Sequence, residues 1–488
     1  MRKEDEIIAR LVAWFDSRLG LSHPMLRPVP EYAVNPFYWL GALTVVAFVI
    51  QGVTGMLMML YYVPSPIQAF QSTQYIFQQV YYGRFLESVH LYTAYAMIML
   101  AFMHMMRGYF VSVHKKPREM MWIVGMVMGF VTLGFGFTGY LLPWTVVSKS
   151  ATDVGIGMID ALPAQISSLF SFLIVGAGGD ATELLRFYDL HVVVLPAVLL
   201  VLLTLKMYML ECHGISEPAT GVVSQEKRRL IPIFPDVSLY LLELAAVFGS
   251  AMLLISVIFP LNLPPQYSPQ LAAQFTPQPD WYFLWIYQIL KISIFEGPGL
   301  SVALSLVTLL FILLFLLPFI DRSKKRRLID RPIFVTLGLI FVAELIVLAY
   351  WGLITPGQII PFEQAALVIG GTALIIAFVS FGAYWVLFSR IKRQTSSGPQ
   401  APTKFAALFS FGALATGGAF AIGNTMNTTV NIIVQGLDWW KALLLVSSII
   451  MLAFVILASA LLIYRIELPN GSLSRRIRFL EKMIHESK

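Results

Sequence analysis

Apolar residues run along this chain in unbroken blocks, with no alternation of apolar and polar positions inside them. Ten blocks stand out, at about 38–62, 88–110, 122–142, 187–210, 238–259, 300–320, 333–354, 363–389, 404–424 and 440–464. A helix of about 20 residues crosses the ~30 Å hydrocarbon core of a bilayer, and each block is long enough or nearly so. Barrel strands would alternate instead. The pattern therefore predicts an all-α polytopic membrane protein of about ten spans, in which four N-terminal helices form a bundle and further transmembrane helices follow. Polar stretches divide it into an N-terminal arm (1–37), the four-helix domain (38–218), a second domain (219–393), and a tail (394–488). The tail opens on the polar linker "QTSSGPQAPTK" and carries the last two spans.

Composition agrees with that pattern: 58% of the 488 residues are hydrophobic and only 12% are charged. The net charge of +7 reads as topology, because the basic residues sort onto one side of the spans. The arm, "HKKPRE" (114–119), "EKRR" (226–229), "DRSKKRRLIDR" (321–331), "SRIKR" (389–393) and the tail with "RRIR" (475–478) share one side, here the n side. The opposite p side receives only Arg84, Lys149, Arg186, Lys291 and Lys441. The positive-inside rule then expects both termini in the cytoplasm of a prokaryotic cell, with the spans in its plasma membrane. Nucleic acid is a poor reading of this charge. The one cysteine, Cys212, excludes an intrachain disulfide and any cysteine-built metal cluster.

Candidate chemistry lies inside the first four spans. His90 and His104 stand fourteen residues apart on the second span, ~21 Å along a helix and nearly on one face. Gly41 and Gly55 repeat that spacing on the first span, and Gly125 and Gly139 on the third. His191 and Lys206 on the fourth are fifteen apart. Alternating span direction sorts these into a p layer (Gly55, His90, Gly139, His191) and an n layer (Gly41, His104, Gly125, Lys206). Each layer offers two nitrogen-bearing side chains and two glycines that leave room for a flat group. Two facing histidines with such room are what a six-coordinate haem needs. Taken singly, each histidine also reads as a hydrogen-bonded residue of a helix interface, and each glycine as a packing site. The matched spacing on four spans favours two haems at two depths.

Several motifs carry a resemblance. "IQGVTG" (50–55), "SVHLYTAYAMIMLAFMHMMRG" (88–108), "HKKPREMMW" (114–122), "GYLLPW" (139–144), "RFYDLHVVVLP" (186–196), "HGISEP" (213–218) and "PDWYFLWIYQILK" (279–291) all match one pattern. Over residues 1–390 the sequence resembles cytochrome b of the Rieske/cytochrome b quinol-oxidising complexes. The spacing of fifteen in the fourth span resembles the photosynthetic branch. The resemblance implies that His90 and His191 ligate a p-side haem, and that His104 and position 206 ligate an n-side haem. It implies quinol oxidation near Pro279, Asp280, Trp281 and Tyr282, with a second quinone site near the n layer. It also implies bifurcation of electrons to a Rieske iron–sulfur protein and to the two haems, coupled to proton translocation. A further acceptor is expected (a cytochrome c, a copper protein or oxidase subunits), as is a homodimer within a larger complex in membrane lipid.

The chain departs from that family at several positions. Lys206 stands where the family has histidine. A lysine ligates iron only as the neutral amine, a cost for a group of reference pKa about 10.4. The alternative is that Lys206 snorkels to the interface, leaving Met207 or no protein ligand. Asp280 replaces a glutamate thought to accept a quinol proton, and its reach is shorter by ~1.5 Å; it also reads as a helix N-cap. Trp39 stands where the photosynthetic branch attaches a third haem through cysteine, so both haems are expected to be non-covalent, b-type or modified. Arg84 is a candidate to pair with a haem propionate, and Arg107 with a propionate or a quinone oxygen. Glu211, His213 and Asp236 are weaker candidates for the n-side quinone, and Glu344 is expected to make a helix–helix hydrogen bond. Two other functions stay open: an electron-entry subunit of a terminal oxidase without a full n-side quinone site, and a haem-free transporter or scaffold.

Overall fold

A computed structural model describes residues 18, 28–162, 164–176, 179–216, 230–231, 233 and 237–394. Among them are eight helices long and apolar enough to cross a membrane. They are α1 (Pro36–Met59), α2 (Gly83–Phe110), α3 (Glu119–Leu141), α4 (Asp180–His213), α5 (Tyr240–Ile258), α6 (Gly297–Phe315), α7 (Pro332–Ile354) and α8 (Phe362–Gly382). Each coincides with one of the first eight expected spans. The two expected at 404–424 and 440–464 lie outside the described residues.

Helix limits follow from local chemistry. The Asn35 side chain accepts from Phe37 N at 2.9 Å and Pro36 fills the first turn, which starts α1. Gly214, at φ 65°, stops α4. Leu316 and Pro318 end α6 short of the expected 320. The outward faces stay apolar, with Val53 and Met56 on α1 and Val201 on α4 exposed, as lipid contact requires.

The chain divides into two compact units, Met1–Lys324 with Leu348–Phe362, and Lys325–Val347 with Glu363–Lys488. The first holds α1 to α6 and all the candidate chemistry of the two layers. Within it α1 runs antiparallel to α2, and α3 to α4, because Gly41 and Gly55 face His104 and His90, while Gly125 and Gly139 face Lys206 and His191. Ala47, Met97 and Leu199 are buried midway between the layers. A short strand pair, β1 (Val29–Pro30) with β2 (Leu230–Ile231), joins the arm to the segment before α5.

Short helices too small or too polar to span lie at the p-layer end, at Ala69–Gln78, Val146–Asp160 and Leu284–Leu290. The basic residues there are each tied down. Lys149 is buried and paired with Asp153, with Asp180 at 3.3 Å and with Glu183 at 3.5 Å. Lys291 donates to Thr355. At the other end, buried His114 and Lys115 both reach Asp321, at 3.1 and 3.0 Å, locking the loop after α2 to the end of α6.

In the second unit, Glu344 corrects an expectation. Both of its carboxylate oxygens are buried without a hydrogen-bond partner among the described residues, so the expected helix–helix bond is not formed there.

Candidate functional site

The p layer assembles as its spacing requires. A Cβ built on Gly55 would lie 3.4 Å from His90 Cε1, and one on Gly139 only 2.5 Å from His191 Cε1. The two imidazole centroids are 6.3 Å apart, their planes tilted by 62°. Two metal–imidazole bonds of ~2 Å plus the half-width of each ring fill that gap.

A threonine lies against Nδ1 of each ring. Thr54 Oγ1 donates to Ile50 O at 2.7 Å and lies 2.8 Å from His90 Nδ1. Thr138 Oγ1 donates to Gly134 O at 2.8 Å and lies 3.2 Å from His191 Nδ1. A hydroxyl has one proton, and here the helix carbonyl takes it. Each threonine can then accept from an Nδ1–H, the tautomer that leaves the Nε2 lone pair free for a metal. Neither threonine was singled out from sequence, yet each directly precedes a p-layer glycine, in "VTG" and "FTG".

The n layer is built from different parts. A Cβ on Gly41 would lie 3.1 Å from His104 Cε1, and one on Gly125 would lie 2.7 Å from Lys206 Nζ. Lys206 thus points across to α3, not along its own helix toward the interface. Its neighbour Met207 is 53% exposed on the outer face and cannot serve as the alternative ligand. His104 Nδ1 is buried with no hydrogen-bond partner, as at a site completed by a ligand. The residues of both layers fit a haem: an orphaned nitrogen, four cradling glycines and facing nitrogen donors.

The fifteen-residue spacing on α4 has a local cause. Pro196 lacks an N–H, so the turn before it cannot close in the usual way. The chain instead makes a wide π-type turn over Leu190–Val194, with Leu195 N bonded to Leu190 O. The wide turn absorbs one residue and brings His191 and Lys206 back to a common face.

Beside the p layer lies an apolar cavity of about 240 Å³, bounded by Gly134, Phe137, Tyr282 and Phe311 among others. Tyr282 is buried and lies against Gly136, where a Cβ would fall 2.7 Å from its hydroxyl. Asp280 caps the turn Trp281–Phe283, accepting from Trp281 N at 3.1 Å. It also accepts from the Tyr95 hydroxyl on α2. Burial holds the Asp280 carboxyl above its ordinary range, against the opposing bonds from Tyr95 and Trp281 N–H. Burial likewise pushes the Tyr282 phenol well above its usual range. Pro279 and Trp281 are half-buried on the same segment.

The remaining candidates divide. Arg84 is exposed and donates to Leu261 O at 2.6 Å and Asn262 Oδ1 at 2.8 Å, anchoring the loop after α5. Arg107 stacks 3.9 Å over the Tyr38 ring, beside the n layer. His213 pairs with the Arg18 carbonyl, Glu211 sits at the end of α4, and Asp236 lies outside the described residues.

The family described as cytochrome b/b6/petB matches residues 26–214, and that described as cytochrome b(C-terminal)/b6/petD matches 273–378. A cytochrome bc complex cytochrome b subunit of Chlorobaculum thiosulfatiphilum is 33% identical over 348 residues, 70% of this chain and 80% of the relative. The chain belongs to the cytochrome b family. A cytochrome b of Sulfolobus acidocaldarius is 30% identical over 398 residues, 75% of this chain and 69% of that one. Among solved structures, a chain of a hyperthermophilic respiratory complex III aligns with a TM-score of 0.58 at 25% identity, covering 77% of this chain and 97% of that chain. The cytochrome b family typically binds two b haems. Its two matched regions hold every layer residue and the Asp280 segment.

Proposed function

We propose that this chain is the haem-bearing, quinol-oxidising subunit of a bc-type respiratory complex. The observation that carries the reading is the juxtaposition on one chain of a paired-histidine layer and an apolar cavity walled by Tyr282, two residues beyond a half-buried carboxylate. His90 and His191, with Gly55 and Gly139 leaving room, would hold one haem; His104 and Lys206, with Gly41 and Gly125, would hold the other. When bound, the haems would supply one-electron carriers at two depths of the membrane, beside a Rieske iron–sulfur partner as the other acceptor.

The chain's own residues handle the quinol. The cavity takes the apolar ring and excludes water. Asp280, two residues before Tyr282 of the cavity wall, accepts a hydroxyl proton as general base. The partners that follow are the Rieske protein, a further electron acceptor and a second copy of this chain. Family likeness and the cavity both support this reading over a haem-free scaffold.

Asp280→Asn tests it. The amide cannot take the proton, so quinol oxidation by the purified complex is expected to fall ~100-fold with haem content unchanged. An unchanged rate would mean that the proton leaves by another group.

A further inference from the structure

Asp280 sits on a loop, and what aims its carboxylate comes from another helix. Tyr95 of α2, 185 residues away in the chain, donates its hydroxyl to both oxygens, at 3.0 Å to Oδ1 and 2.8 Å to Oδ2. Trp281 N adds a bond to Oδ1 at 3.1 Å. The phenol is itself confined. Its ring meets Trp281 edge-on at 6.2 Å and Tyr282 at 6.5 Å between centroids. Tyr95 therefore cannot swing away from the carboxylate without disturbing the two aromatic residues that follow Asp280.

We propose that Tyr95 is a positioning residue for quinol oxidation: its hydroxyl locks the short Asp280 side chain in one orientation and holds it as the proton acceptor. The inference rests on the quinol-oxidising reading of this site. An aspartate reaches ~1.5 Å less far than a glutamate, so its placement has less room for error. A donor shared between both oxygens fixes the plane of the carboxylate as well as its position.

The titratable groups that face Asp280 are phenols: Tyr95 from α2, Tyr140 from α3 and Tyr282 from its own segment. Of these only Tyr95 donates a hydrogen bond to it. Burial makes Asp280 a weaker acid than an ordinary carboxyl, and the Tyr95 bond opposes that change. Without the hydroxyl, Asp280 binds its proton at a higher pH. Less of it is then ionised at any given pH, and the acid limb of quinol oxidation moves upward.

The test uses the assembled complex with reduced decylubiquinone as the probe, and reads kcat and KM against pH. In Tyr95→Phe the acid limb is expected to move up by about one pH unit, with kcat below the limb about tenfold lower and KM changed less than about twofold. The haem absorbance of the variant reports its assembly. A second comparison places Tyr95→Phe in an Asp280→Glu background. There the longer side chain needs less aiming, and the loss is expected to shrink to less than about threefold. An acid limb that stays in place, or losses that simply multiply in the double variant, would overturn the inference while leaving quinol oxidation standing. A wild-type complex that leaves the quinol unoxidised at every pH would overturn the quinol-oxidising reading, and this inference with it.

Discussion

Replacing Gly139 with valine is expected to strip the chain of its p-layer haem while the n layer keeps its own. A Cβ at Gly139 would fall 2.5 Å from His191 Cε1, 3.0 Å from Nδ1 and 3.2 Å from Nε2. The whole ring lies in the way, and two further methyl groups project beyond the Cβ. The ring cannot retreat cheaply, because Thr138 holds its Nδ1 and Phe135 packs against it at 5.6 Å between centroids. Haem content is expected to drop from about two to about one per chain. Gly55→Ala gives the internal comparison. Its Cβ would meet His90 Cε1 at 3.4 Å, an ordinary contact, so that variant is expected to keep both haems. Extraction and absorbance on the two purified variants check the difference. Equal haem content in both would show that the glycines serve helix packing alone.

Lys206 carries the second large effect. A charged lysine inside a span costs ~2.5–3.5 kcal/mol on insertion scales, and such residues mark function. Here the amine points at Gly125, and no carboxylate partner for it is found among the described residues. Lys206→Ala is expected to empty the n layer and halve the haem content, because Met207 faces outward and cannot replace the amine. Lys206→His is expected to keep about two haems but to change the absorbance and potential of one of them, since axial-ligand identity sets both. Full haem content in Lys206→Ala would assign the lysine to packing.

The two-layer plan was legible because it is written in local periodicity. Four helices of one pitch, each marked twice at nearly equal spacing, leave few ways to be assembled. The odd interval on α4 looked like an exception, and Pro196 explains it through the wide turn at Leu190–Val194. The long apolar helices were legible for a related reason, since their limits follow from Pro, Gly and Asn residues close by in sequence. Other features were hidden by distance along the chain. Tyr95 and Asp280 meet across 185 residues, and nothing in "HLYTAYAM" marks that tyrosine apart from its neighbours. The Arg84 contacts were hidden for the same reason, because Leu261 and Asn262 meet its guanidinium from the loop after α5. Thr54 and Thr138 lie between these cases. Their place before the p-layer glycines was visible, but their role depends on which proton donor each hydroxyl meets. The short helices at the p-layer end escaped notice because they fall below the length that a search for spans detects.

Haem in both layers is measured most directly by the haem-to-polypeptide ratio of the purified wild-type chain. The account predicts a ratio near two. A ratio near one would leave the Lys206 layer empty and break the path across the membrane, and a ratio near zero would contradict the redox reading altogether.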